Sequence, residues 1–164
     1  WIEGSAEQSN LSQKYNYIFF GSSFNVINHK KAIKEFGKIL NDNAFIICVF
    51  NHRDLNNNIQ NNIEKIIKKN IKSYNYGLRR KNLIPFIKKF KNFKNIKFYS
   101  EKFTTRQSKE QIIRAFRSHA TIQRQSKKKF NQIINDIDNY LTSLKKKIII
   151  VPYKTVCYVF NFQR

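Results

Sequence analysis

Apolar residues recur along this chain with two different spacings, and each change of spacing marks a new element. Tyr15-Asn16-Tyr17-Ile18-Phe19-Phe20 is almost continuously apolar, with Gln8-Ser9-Asn10 before it and Gly21-Ser22-Ser23 after. Such a run predicts a strand buried on both faces, as in a parallel sheet. Between His29 and Leu40 the residues Ala32, Ile33, Phe36, Ile39 and Leu40 fall at helical spacing, with lysines on the other side. Asn41-Asp42-Asn43 supplies turn chemistry, and Ala44 to Phe50 reads as a second buried strand. Strand, helix and strand at this length predict a βαβ unit with a right-handed crossover.

Further on, Leu55 to Asn75 carries an isoleucine stripe (Ile59, Ile63, Ile66, Ile67, Ile71) and predicts a helix. Leu83 to Phe90 predicts a short helix with Pro85 in its first turn. Ile96 to Phe103 reads as a strand. Ser108, with Gln111 three residues later, predicts a capping box opening a helix through Arg117. Lys127 to Leu144 is a further amphipathic helix. Ile148 to Phe162 is either a long hairpin or one strand bent around Pro152. No internal repeat and no long linker interrupts this order, so residues 1–164 are expected to form a single domain.

The 164 residues suffice for a real core, and a 41% hydrophobic and 15% aromatic composition favours folding over disorder. No apolar run is long enough for a membrane span, so no membrane partner is expected. Cys48 and Cys157 both lie in predicted strands and read as small buried hydrophobes, consistent with a cytoplasmic location. His29, His52 and His119 have no ligand-spaced partners, so no metal is expected. The net charge of +22 has two readings. Lysines spread over nearly every helix, beside an excess of Asn, Ile and Phe, favour compositional drift over dedicated binding to a polyanion. Non-specific binding to nucleic acid follows in either case.

The order of elements carries a resemblance. An I-E-G-S-A-E turn (Ile2 to Glu7) precedes the first strand, Gly21-Ser22-Ser23-Phe24-Asn25-Val26-Ile27 follows it, and Asn51-His52-Arg53-Asp54 follows the second. This resembles the middle and C-terminal portion of a class I S-adenosylmethionine-dependent methyltransferase, of the small-molecule type similar to trans-aconitate methyltransferases. The resemblance implies an α/β, Rossmann-like sheet in which Tyr15, Ala44, Ile96 and Ile148 begin strands four, five, six and seven, the last antiparallel. It also implies that residues 108–144 form a helical insertion.

By the same resemblance, Gly4, Ser5, Ala6 and Glu7 match the family's G-D-A-E turn and would border the adenine of S-adenosylmethionine. Gly21, Ser22 and Ser23 would line the methionine end of that cofactor. Phe24, Asn25, Asn51 and Arg53 would face the methyl acceptor, with Arg53 gripping a carboxylate and Asp54 holding it in place. Plain alternatives stand beside each of these. Gly4 to Glu7 also suits an ordinary turn, Ser22 and Ser23 suit a helix cap, and Arg53 and Asp54 suit a surface ion pair capping the next helix. No general base stands out: His29 and His52 qualify by location only, and both read as solvent-facing.

The expected function is therefore methyl transfer to a small, anionic acceptor. The alternative is a non-catalytic basic α/β domain that binds nucleic acid or another acidic partner. The N-P-P-Y and D-P-P-Y signatures of base methylation are absent. The chain opens with Trp1, contains no methionine, and has four glycines of which no two can form a G-x-G loop. That pattern leads us to expect a C-terminal fragment whose cofactor loop lies upstream, and weak or no cofactor binding by residues 1–164 alone.

Overall fold

The computed structural model describes residues 3–164. Ile2, the first residue of the expected turn, lies outside the described residues. Four strands among them, β1 (Tyr15–Gly21), β2 (Leu40–Arg53), β3 (Phe93–Gln107) and β4 (Ile149–Phe162), form one sheet in the order β1-β2-β4-β3. Strand β1 pairs with β2 in parallel, with Ile18 opposite Ile46 and Phe20 opposite Cys48. A parallel pair cannot be closed by a hairpin. The connection is helix α1 (His29–Ile39), which the side chain of Asn28 caps by accepting from the Lys31 amide.

Strand β4 runs antiparallel to both of its neighbours. Against β2, the Asn161 amide group donates to the Asn43 carbonyl (2.7 Å) and Thr155 Oγ1 to Asn51 Oδ1 (2.8 Å). Against β3, Asn95 donates to Asn161 (3.3 Å) and Phe98 packs on Tyr158. In both sets the numbers rise on one strand as they fall on the other. The expected bend at Pro152 does not break β4, because the strand continues through it and the proline carbonyl still accepts from the Asp54 amide. Proline removes a donor and leaves its acceptor.

The remaining helices are α2 (Asn58–Asn70), α3 (Ile84–Ile87), α4 (Lys109–Arg117), α5 (Ala120–Ser126) and α6 (Phe130–Ser143). The capping box of α4 is complete, since Ser108 accepts from the Gln111 amide while the Gln111 side chain accepts from the Ser108 amide. Asn57 caps α2 by accepting from the amides of Ile59 and Gln60, so the cap is three residues beyond Asp54.

Two sequence expectations need correction. Strand β1 is not buried on both faces: Tyr17 is 58% and Phe19 70% exposed, while Phe20 packs on Phe36 of α1. An apolar run alone does not distinguish one covered face from two. Asn41 to Asn43 is not a turn outside the strand but a bulge within β2, where pairing jumps from Tyr15–Leu40 to Tyr17–Phe45. Asn43 takes up the extra length at φ 59°, a left-handed conformation asparagine tolerates better than most residues.

The chain divides into two compact units. The first holds the described residues up to Asn51, with Gly77–Glu101 and Thr155–Arg164. Its core is aromatic, with Phe160 in edge or tilted contact with both Phe24 and Phe93, and Phe36 against Phe162. The second holds His52–Tyr76 and Lys102–Lys154. Its core is mostly isoleucine, built from Ile63 and Ile67 of α2, Ile112 of α4, Ile122 of α5 and Ile133 and Ile137 of α6.

Phe160 is fully buried and touches both Phe24 and Phe93. Phe160→Ala should therefore cost about 3–5 kcal/mol, the usual range for deleting a buried ring. Urea unfolding measures it, and a loss below about 1 kcal/mol would show that this core is loosely packed.

Candidate functional site

The C-terminal end of β1 meets β2 side by side. Ser22, at φ 56°, donates its amide to the Val49 carbonyl (2.8 Å), which extends the parallel pairing one step past Gly21. A short 3-10 turn, Phe24–Val26, then leads into α1. Neither Ser22 nor Ser23 caps that turn or α1 with its side chain. Gly21 has open space where a Cβ would stand.

Phe24 does not line an open pocket. Its ring is fully buried against Phe20, His29 and Phe160, so it supports the loop from beneath. Asn25 is different: its Oδ1 is shielded from solvent and has no hydrogen-bond partner among the described residues. A buried acceptor without a donor costs about 1–3 kcal/mol, so such atoms call for an explanation.

Gly4 to Glu7 belongs to the same unit. Ser5 and Gln8 exchange backbone hydrogen bonds and close the turn. Glu7 accepts from the Asn28 amide at 2.6 Å, which places its carboxylate at the N-terminus of α1. That bond holds the Glu7 carboxyl below its ordinary pKa, and the position suits a negative charge. Glu7 thereby ties the Gly4–Glu7 turn to the element that follows Gly21–Asn25. The next residues are tied as well, because buried Glu35 accepts from both the amide (2.9 Å) and the hydroxyl (2.7 Å) of Ser9. Ser9 and Lys38 together lower the Glu35 carboxyl to about 2.

Asn51, near the end of β2, is exposed and bonded to Thr155. Arg53 belongs to the second unit, and its side chain is 11% exposed rather than on the surface. Its Nη1 donates to Gln60 (3.2 Å), and its Nη2 donates to Glu64 (3.4 Å) and to the Tyr76 hydroxyl (3.4 Å). The guanidinium also lies over the Phe116 ring, 4.8 Å from its centroid. Tyr76 donates a very short hydrogen bond to Glu64, and burial pushes its phenol upward. The Asp54 side chain accepts from the Asn56 amide. The Arg53 guanidinium is therefore engaged internally, by Glu64, Gln60 and Tyr76.

His29 also departs from the solvent-facing expectation. It sits half-buried among Phe24, Phe86 and Phe90, with Nε2 2.8 Å from the Phe24 carbonyl. Desolvation lowers its pKa below 6.5, outweighing the Phe24 carbonyl and Glu7, which act the other way. Among the described residues, no group of three or more His, Cys, Asp or Glu could hold a metal ion. No helix among them is long and apolar enough to cross a membrane.

Sequence reasoning missed Glu35, Gln60 and Glu64. The signal was present, because Glu35 lies in the α1 stripe with Ala32, Phe36 and Ile39, and Glu64 lies in the α2 stripe with Ile63 and Ile67. A lone acid inside an apolar stripe points to a buried ion pair.

No protein-family model matches the chain, and no curated protein matches it. Solved structures do. A protein from Anaeromyxobacter dehalogenans assigned as a type II methyltransferase superposes with a TM-score of 0.60 at 9% identity, over 98% of this chain and 69% of its own. A Bacillus halodurans protein assigned as a methyltransferase gives 0.48 at 10% identity, over 99% and 71%. A Haemonchus contortus phosphoethanolamine N-methyltransferase, solved with S-adenosylhomocysteine, gives 0.41 at 10% identity, over 98% and 36%. Of these three the first exceeds 0.5, and it establishes the fold: α/β, a Rossmann-like sheet like that of this methyltransferase, with the last strand of the present chain antiparallel.

Two outcomes follow from the geometry. Glu64→Ala strands the Arg53 charge in a closed setting and should cost about 3–5 kcal/mol, whereas the paired Arg53→Met, Glu64→Leu variant should lose much less. Urea denaturation of the three proteins separates the cases. His29 is favoured neutral when folded, so its contribution is complete above pH 6.5 and is lost as pH falls below that value. Unfolding measured at descending pH should show a decline that His29→Gln flattens; an unchanged slope would mean that the ring is not desolvated in solution.

Proposed function

We propose that this chain contributes the cofactor-facing end of strands four and five to an S-adenosylmethionine-dependent methyltransferase acting on a small, anionic acceptor. The observation that carries this reading is the side-by-side C-terminal ends of the parallel pair β1 and β2, joined by the Ser22–Val49 bond. In open α/β sheets, ligands bind outside the carboxyl ends of parallel strands. In this reading Gly4, Ser5, Ala6 and Glu7 border the adenine, and Gly21, Ser22 and Ser23 border the methionine end. Asn25 offers its unpartnered Oδ1 to the ligand. Phe24 acts by supporting the loop, and Asn51 lies at the mouth. The two free cysteines fit a cytoplasmic setting.

A sulfonium methyl is already activated, so the protein supplies proximity and orientation more than acid–base chemistry. A carboxylate acceptor is ionised at neutral pH and needs no base. That agrees with the burial of His29, which leaves it poorly placed to exchange protons with a substrate.

Residues 1–164 hold no G-x-G loop, the feature that lets backbone approach a nucleotide-type cofactor closely. S-adenosylhomocysteine should therefore bind this chain more weakly than micromolar. In an amide chemical-shift titration at millimolar ligand, the changes should fall on Gly4–Glu7 and Gly21–Asn25. A micromolar dissociation constant would overturn the view that the loop is required, and unmoved signals in both segments would overturn the cofactor reading itself.

A further inference from the structure

We infer that the first unit carries a docking surface for single-stranded nucleic acid, built from the segment that leads through α3 into β3. Residues 65–100 contain no aspartate or glutamate, and the part of that stretch within the first unit is dense in lysine. Lys81, Lys88, Lys89, Lys91, Lys94 and Lys97 are all exposed. None of the six enters an ion pair among the described residues, whereas the lysines paired in this protein, Lys38, Lys68 and Lys109, each meet a carboxylate. Compositional drift explains many lysines. What sets these six apart is that they fall in the longest acid-free stretch of the sequence and on consecutive elements of one unit, where their mutual repulsion opposes folding.

The setting selects the partner. Lys97 and Tyr99 stand two residues apart on β3 and therefore project to the same side, and Tyr99 is 55% exposed. A cation beside an open ring is the pairing that holds a phosphate while a base stacks. The apolar side chains of α3 are not free to enter a lipid surface, because Ile87 is buried and Phe86 and Phe90 pack on His29, and Phe98, although 44% exposed, leans on the Tyr158 ring. β3 also ends the sheet, and edge lysines deter strand pairing, but that purpose does not extend to Lys81, Lys88, Lys89 and Lys91, which precede the strand. This surface is independent of the methyl-transfer reading.

The test is fluorescence anisotropy with a labelled, mixed-sequence single-stranded oligonucleotide, long enough to span one domain's site of up to about 16 nucleotides. Titrations at several salt concentrations compare three proteins. One replaces the six lysines by glutamine. A control of equal net charge replaces Lys65, Lys128, Lys129, Lys146, Lys147 and Lys154, all exposed and in the second unit. The third is Tyr99→Ala. The first variant should bind at least tenfold more weakly, with a salt slope reduced by roughly 4, at about 0.7 per lost phosphate contact. The control should lose less than threefold, and Tyr99→Ala about fivefold. Circular dichroism confirms that each variant is folded. Equal losses in the two six-lysine variants would overturn the proposal by showing a response to bulk charge alone. Tighter binding to polyglutamate or to phosphatidylserine vesicles than to the oligonucleotide would also overturn it, as would an unchanged affinity in Tyr99→Ala.

Discussion

The parallel pairing of β1 with β2 is the constraint on which the rest of the candidate site depends. Two strands pointing the same way must be joined by a crossover, and they must end at the same edge of the sheet. The crossover here is α1, whose buried face carries Ala32, Phe36 and Ile39 into the aromatic core. The shared edge brings Gly21 and Ser22 beside Val49, two residues before Asn51. Had the pair been antiparallel, the loop after β1 and the end of β2 would lie at opposite edges of the sheet, and no ligand could meet both.

The core under that edge explains why so few polar groups suffice to place it. Phe20, Phe24, Phe93 and Phe160 meet at angles that rings prefer, so the base of the loop is set by shape. Polar contacts then act at the margins. Glu7 holds the start of α1, and Glu35 holds Ser9, each accepting from backbone N–H groups that would otherwise be unpaired. These two carboxylates are a small part of the sequence, yet both tie the segment before β1 to the helix after it.

Much of the fold was legible because periodicity reports burial directly. The βαβ unit, the capping box at Ser108 and Gln111 and the helical stripes of α2 and α6 all follow from spacing, and the structure contains each of them. What spacing could not give was the number of covered faces on β1, since Tyr17 and Phe19 look the same in sequence whether a layer lies over them or not. Nor could it show that three asparagine-rich residues would loop out of β2 without ending it. The site was less legible than the fold for a related reason. Phe24 and Arg53 read from sequence as candidate acceptor contacts, but whether a side chain points to a ligand or into a core depends on partners far away in sequence, such as Phe160 for Phe24 and Tyr76 for Arg53.

Arg53 shows how a conspicuous residue can act through a second one. An arginine following a buried strand is well placed to grip an anion, but a guanidinium that is nearly closed off from water needs its own counter-charge first. Glu64 supplies it, and Gln60, Tyr76 and the Phe116 face engage the same guanidinium. The consequence is a division of labour among the cations. The one with the most elaborate setting is neutralised internally and contributes rigidity. The exposed lysines of residues 81–97, which have no such setting, keep their charge available to the outside. Charge that is placed and charge that is available are therefore different properties here, and net charge alone reports neither.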